Sequence, residues 1–369
     1  MKLQKKFYRS TSRHHEYSLS LPIISFIVLY AWGNTDYLPA VIGINLIALT
    51  GILSSAFSVV RHADVLAHRF GDPYGSLILS LSVVVLEVSL ISALMATGHS
   101  DPELMRDTLY SVIMIVTGGL VGVSLLLGGR KFATQYVNLI GIKQYLMALF
   151  PLAVIVLVLP AALPGKDFSI TQALVIAIIS AAMYAVFLLI QTKTHQSLFV
   201  YEHEDNSGDL HAPRHGKFSM HTSAWHSIWL CIHLIAVIAV TKFNADPLEH
   251  LLTEMNAPEK FAGFLIALLI LSPEGLGALR AALNNQVQRA MNLLFGSVLA
   301  TISLTVPIVT LIAVLTGHHL IFGLEAPGIV VMLSSLILCQ ISFSAGGTNA
   351  LNGTAHLALF AAYIMTILL

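Results

Sequence analysis

The sequence is short of charge. Only 10% of its 369 residues are Asp, Glu, Lys or Arg, with 19 of each sign, whereas soluble domains carry about 25%. The balance leaves no basic excess to bind nucleic acid. Cysteine is nearly absent too. Cys231 and Cys339 are the whole complement, each inside an apolar run, which argues against a disulfide framework or a metal-thiolate centre. No phosphate-cradling glycine loop, metal-ligand pair or nucleophile elbow occurs, and the polar stretches are too short to form a soluble enzyme domain. What is plentiful is hydrocarbon. Hydrophobic residues make up 56% of the chain and the mean hydropathy is +0.81, the composition of an all-α polytopic membrane protein.

About 20 mostly apolar residues in a helix cross a bilayer, and an open backbone has no water there to satisfy it. Cutting the chain at its charges gives eleven expected spans, near 19–33, 39–60, 75–97, 108–129, 144–162, 169–191, 225–241, 260–279, 291–316, 326–344 and 353–369. The first follows a basic stretch, MKLQKKFYRSTSRHHE, but no small-x-small cleavage pattern follows its apolar run, so a retained helix is expected. Lysine and arginine set the orientation. With a cytoplasmic N-terminus, Arg106, Lys166, Lys242 and Lys260 fall outside and the other fifteen fall inside, the bias of cytoplasmic loops. Eleven helices then place the C-terminus on the periplasmic side.

Against this background the stretch SLILSLSVVVLEVSLISALMATG, residues 76–98, holds one acidic residue at its centre. The nearest charges to Glu87 are Asp72 and Asp101, so its carboxyl cannot snorkel to water. One other acid lies as deep, Glu274 in FAGFLIALLILSPEGLGALR. Each sits in the second helix of a five-helix set, and each is followed by a similar helix, with Ser111 24 residues after Glu87 and Ser297 23 after Glu274. An odd number of helices per set forces the two halves into opposite directions, the inverted-repeat plan of many secondary transporters. The division expected is 1–38 for the basic N-terminus and first helix, 39–191 for the first repeat, 192–224 for a cytosolic loop and 225–369 for the second repeat. Pro273 removes a backbone donor beside Glu274, and Gly275 and Gly277 let another backbone approach.

At these residues the chain resembles the calcium/cation antiporter superfamily, in particular its cation/proton exchangers and, among them, bacterial sodium-potassium/calcium-proton antiporters. PYGSLILSLSVVVLEVSLISALMATG, LIQTKTHQSLFVYEHED and LLILSPEGLGALRAALNNQVQRAMNL carry the likeness. It implies eleven helices, two inverted five-helix repeats, a cytosolic acidic segment between them and one essential glutamate per repeat, here Glu87 and Glu274, which bind both cation and proton. The sequence departs from the wider family in one respect. Gly-Asn usually stands four and three residues before each glutamate, whereas this chain has Val83-Val84 and Ile270-Leu271. Two amide oxygens are missing, so calcium is expected to bind with modest affinity beside sodium and potassium.

The expected activity is therefore exchange of cytosolic Na+, K+ or Ca2+ for external protons across a bacterial inner membrane. No cofactor is called for beyond the transported ions, and membrane lipid is the surrounding partner. An enclosed carboxyl holds a proton or a metal cation but seldom neither, and competition for it couples the two flows. A glutamate-lined cation channel and an intramembrane acid-base enzyme are the rival readings. Neutral oxygens for the site are sought at Asn45, Ser111, Thr117, Ser297 and Thr301, and less directly at Asn292, Asn349 and Asn352, although Ser, Thr and Asn also serve plain helix packing. The loop HQSLFVYEHEDNSGDLHAPRHGKFSMHTSAWH, with Glu202, His203, Glu204, Asp205 and Asp209, reads either as a solvated linker or as a sensor of cytosolic pH or cations.

Overall fold

The computed structural model describes residues 17–70, 74–95, 102–164, 167–199, 221–258, 260–317, 319–344 and 346–368. Eleven helices cover most of them. These are α1 (Ser20–Trp32), α2 (Leu38–Phe70), α3 (Tyr74–Met95), α4 (Leu104–Phe132), α5 (Leu139–Ala162) and α6 (Ile170–Thr194), then α7 (Ser223–Glu254), α8 (Lys260–Leu283), α9 (Val287–Thr316), α10 (Ala326–Ser342) and α11 (Ala350–Leu368). Eight are long and apolar enough to cross a bilayer unaided, while α1, the Leu81–Ser92 part of α3 and α10 are shorter apolar helices. Residues Glu202, His203, Glu204, Asp205 and Asp209 lie outside the described residues.

Several helices overrun their expected spans. α2 continues to Phe70 rather than stopping near 60, and α7 reaches Glu254 rather than 241. A charge ends an apolar run without ending the backbone hydrogen bonds. Past Arg61, His62, Ala63 and Leu66 still pack inward, and past Lys242 so do Asn244, Ala245 and Pro247. Three helices also widen into π-turns, at Ile115–Leu120 in α4, Val154–Val158 in α5 and Ile190–Thr194 in α6.

Contacts between helices come in matched pairs. α3 packs on α9 as α8 packs on α4, α4 on α11 as α9 on α6, and α3 on α7 as α8 on α2. Each pairing maps onto the other when α2–α6 is exchanged with α7–α11. Since each set has five helices, the second set runs opposite to the first, giving two inverted repeats with α1 added outside them. At the centre lie α4 and α9; every residue from 104 to 119 of α4 is buried. Around the rim, Val175, Ile178 and Val186 of α6 and Ile228 and Ile235 of α7 are exposed, an apolar surface that lipid rather than water solvates.

Glycine sets how closely α4 and α11 approach. A β-carbon on Gly122 would stand 3.1 Å from the Gly353 carbonyl oxygen, and one on Gly353 would stand 2.6 Å from that of Gly122. Small residues at such crossings replace the hydrophobic drive that helices lack in lipid. A two-residue antiparallel ladder, Gln135–Tyr136 with Gly347–Thr348, joins the α4–α5 link to the α10–α11 link on the same side of the bundle. We predict that Gly353→Leu destabilises the bundle by at least ~1–3 kcal/mol. Gly43→Ala, where a β-carbon meets nothing within 4 Å, should leave it as stable as wild type or more so. Thermal unfolding and size-exclusion profiles in detergent check both, and equal behaviour of the two variants would refute the close-crossing account.

Candidate functional site

The two deep glutamates converge on a third helix. Glu87 on α3 is fully enclosed and Glu274 on α8 is partly so. Between them runs α9, whose Ser297, Thr301 and Thr305 recur every four residues and so share one face. The Ser297 hydroxyl donates to Glu274 Oε2. Thr301 and Thr305 stand beside Glu87, yet neither Glu87 oxygen forms a hydrogen bond of ordinary geometry among the described residues, and both threonine hydroxyls are likewise unbonded. The carboxyls are near enough that two negative charges would repel.

Leaving such charges bare is costly. An ionised carboxylate in an apolar interior needs a partner, and an enclosed pair of like charges needs one more urgently. Among the described residues no Lys, Arg or His forms an ion pair with Glu87 or Glu274. The partner has to be a small cation or protons. Oxygen is the only donor type at hand, and no cluster of three or more His, Cys, Asp or Glu that could hold a metal exists among the described residues. Carboxylate and hydroxyl oxygens suit hard ions such as sodium, potassium and calcium and do not select a transition metal.

Other candidates from the sequence lie elsewhere. Ser111 donates to the Asp107 carbonyl at 2.6 Å and accepts from the Tyr363 hydroxyl at 2.7 Å, so it ties α4 to α11. Thr117 bridges α4 to Ser335 of α10 at 2.8 Å. Asn45 donates to the Pro247 carbonyl at 3.0 Å, anchoring α2 on α7 where proline interrupts its bonding. Asn292 donates to the Phe199 carbonyl at 2.7 Å, and Asn349 and Asn352 bond each other at the start of α11. Pro273 does not break its helix, for α8 is continuous through it. The irregular backbone lies opposite instead, in the π-turn of α4, where Leu120 fills the space beside Gly275.

Two features escaped the sequence reading. Thr305 follows Thr301 by one helical turn, and continuing that spacing would have found it. The second is a line of enclosed histidines between α2 and α7. His62 Nδ1 and His226 Nδ1 are 2.8 Å apart and His233 Nδ1 lies 3.2 Å from Ser55 Oγ, contacts that no spacing within one helix reveals.

Matched carboxylates on inverted repeats, with hydroxyls on a shared central helix and no resident counter-charge, define a membrane cation exchanger. The chain belongs to the sodium/calcium exchanger protein family, whose pattern matches residues 40–193 and 225–369. It is 75% identical over 356 residues to the sodium-potassium/proton antiporter ChaA of Escherichia coli, covering 96% of this chain and 97% of that one. Identity is 33% over 365 residues to the putative ionic transporter y4hA of Sinorhizobium fredii, covering 96% and 98%. Among solved structures, the Ca2+/H+ antiporter protein YfkE superposes with a TM-score of 0.71 at 16% identity over 95% of this chain and 97% of that one. The H+/Ca2+ exchanger CAX gives 0.68 at 12% over 94% and 86%. Such distant likenesses establish the fold alone. The protein is a transporter and not an enzyme, which removes the acid-base enzyme from the readings.

The geometry predicts unequal roles for two serines that the sequence places alike. Ser297→Ala removes a bond to Glu274 and should change the half-saturating cation concentration about three- to tenfold. Ser111→Ala should change it less than twofold. Cation titrations of exchange in proteoliposomes decide the matter, and a larger effect at Ser111 would contradict the arrangement.

Proposed function

We propose that this protein is a secondary active antiporter that exchanges cytosolic cations for external protons, with Glu87 and Glu274 as the shared binding groups. One observation carries the reading: two enclosed carboxyls at matched positions of inverted repeats, within repelling distance and without a protein counter-charge. Such a pair is neutralised by protons or by a cation, and loading one displaces the other. Each half-cycle exposes the pair to one side of the membrane, so the flows are coupled without any covalent step. The lysine and arginine bias puts the N-terminus in the cytoplasm and the C-terminus in the periplasm of a bacterial inner membrane. The likeness to a sodium-potassium/proton antiporter supports this choice of ions.

The coupling has a direct test. Glu87→Gln and Glu274→Gln keep the volume but can neither release a proton nor neutralise a cation. Each variant should insert and purify like wild type while dye-reported proton flux in proteoliposomes falls to background. Near-normal flux in either variant would remove that residue from the shared site. A glutamate-lined channel would instead carry current down the cation gradient with no proton movement.

Ion preference follows from the oxygens present. Calcium takes six to eight oxygen ligands, and the residues one turn before each glutamate, Val84 and Leu271, are buried hydrocarbon without a donor atom. Carboxylates and the α9 hydroxyls must supply nearly all of the shell, which favours ions that lose less hydration. Sodium and potassium should each drive proton flux readily and calcium at clearly higher concentrations. A wild-type protein that carried calcium tightly and ignored both monovalent ions would refute this account of the site.

A further inference from the structure

A second polar cavity lies at the other end of the same helices. It encloses about 250 Å³ between the N-terminal ends of α4, α8 and α10 and the C-terminal end of α11, and Arg106, Asp107, Tyr110, Lys260, Glu325 and Gly328 are among its lining residues. With the N-terminus in the cytoplasm, these ends face outward. At about 30 Å³ per water, the space holds a small cation with several of its waters.

Its charges are arranged to hold one another. Arg106, 1% exposed, donates through Nε to Asp107 Oδ1 at 2.8 Å, through Nη2 to Glu103, and through Nη1 to the Gly323 carbonyl at 3.3 Å. Lys260 pairs with Glu325 at 2.8 Å. Glu103 and Glu325 stand at the N-caps of α4 and α10, where they offset the positive ends of those helices. Three carboxylates against two basic side chains leave a chamber that does not repel cations. One polar group there is unanswered. Tyr110 is 5% exposed, and its hydroxyl lines the cavity with no hydrogen bond; the nearby Thr366 hydroxyl is spent on the Tyr363 carbonyl at 2.7 Å.

From this chamber α4 and α8 run inward side by side. They touch at Asp107 with Gly263 near the chamber and at Leu120 with Gly275 beside Glu274. Gly263 and Glu274 are eleven residues apart on α8, about 16 Å at 1.5 Å per residue. Both contacts are tight, so the crevice between chamber and carboxyls is closed in this conformation. Separating α8 from α4 would open it.

We infer that the chamber is the outer vestibule of the transport path, in which a hydrated monovalent cation meets the Tyr110 hydroxyl before or after its passage along the α4–α8 crevice. The inference rests on the antiporter reading and adds to it the outer mouth of the path. Gly328 faces the Tyr110 ring, with 3.5 Å between a β-carbon there and Cε1, so a side chain at this position enters the chamber without touching its charges.

Two variants in proteoliposomes of defined orientation test it, with sodium as the ion. In Gly328→Cys, a membrane-impermeant cationic thiol reagent applied to the outer face should lower sodium/proton exchange at least fivefold relative to the untreated variant. Applied to the cytosolic face it should do nothing. Wild type, which carries Cys231 and Cys339, is the control for reaction elsewhere. Tyr110→Phe should raise the half-saturating sodium concentration about three- to tenfold at the outer face and less than twofold at the cytosolic face. Inhibition only from the cytosolic face, labelling without inhibition, or a Tyr110→Phe effect equal on both faces or absent would overturn the vestibule. A wild-type protein that exchanges no sodium for protons would overturn the antiporter reading beneath it, whereas wild-type exchange with unaffected variants overturns the vestibule alone.

Discussion

A carboxylate cannot stand charged and unaccompanied in hydrocarbon, and much of this structure is arranged around two that have no protein partner. Glu87 is wholly enclosed and Glu274 nearly reaches it across the axis relating the repeats. A lysine or arginine beside them would make a permanent ion pair, stable and inert. Its absence among the described residues leaves the counter-charge to be supplied from solution. That single omission turns a costly burial into a binding site.

The central helix α9 determines what form the supply takes. Its hydroxyls at Ser297, Thr301 and Thr305 lie on one stripe, so one rigid element serves both carboxyls. They serve them unequally. Ser297 bonds Glu274, while Thr301 and Thr305 stand beside Glu87 without bonding it. Hydroxyls can donate to a carboxylate or offer lone pairs to a cation, and this two-way capacity suits a site that must hold either cargo. Fixed amides or a basic residue would bias it towards one.

Much of the fold was legible in the sequence because membrane solvation writes it in hydropathy. Eleven apolar runs became eleven helices, and the matched glutamates gave away the repeat. The ends were not legible, because Arg61 and Lys242 stop an apolar run while the helix continues under its own hydrogen bonds. Spacing along one chain also failed for the neutral oxygens. Ser111 and Ser297 follow their glutamates by nearly equal intervals, yet Ser111 is drawn away by Tyr363 on α11, a residue 252 positions later in the chain. Pro273 misled in the same manner: a missing donor does not break a helix held by neighbours on several sides, and the irregular turn formed in α4, where Gly118 and Gly119 meet Phe360.

The inequality between the halves has a physical reason of its own. Two inverted repeats of identical shape would present the carboxyls equally to both faces of the membrane, which means open to both or to neither. A transporter that alternates must break the symmetry in every conformation, and here the break is visible atom by atom: Glu274 has a hydroxyl partner, Glu87 has none, and the serine corresponding to Ser297 is engaged on α11. The tight crossings that hold this state are glycine contacts, Gly263 and Gly275 against α4 and Gly353 against Gly122. Such contacts involve backbone meeting backbone or side chain with few hydrogen bonds across them, so helices can part there at modest cost and close again in register. The same small residues that let this bundle pack in lipid, where no hydrophobic effect presses helices together, also leave it able to move.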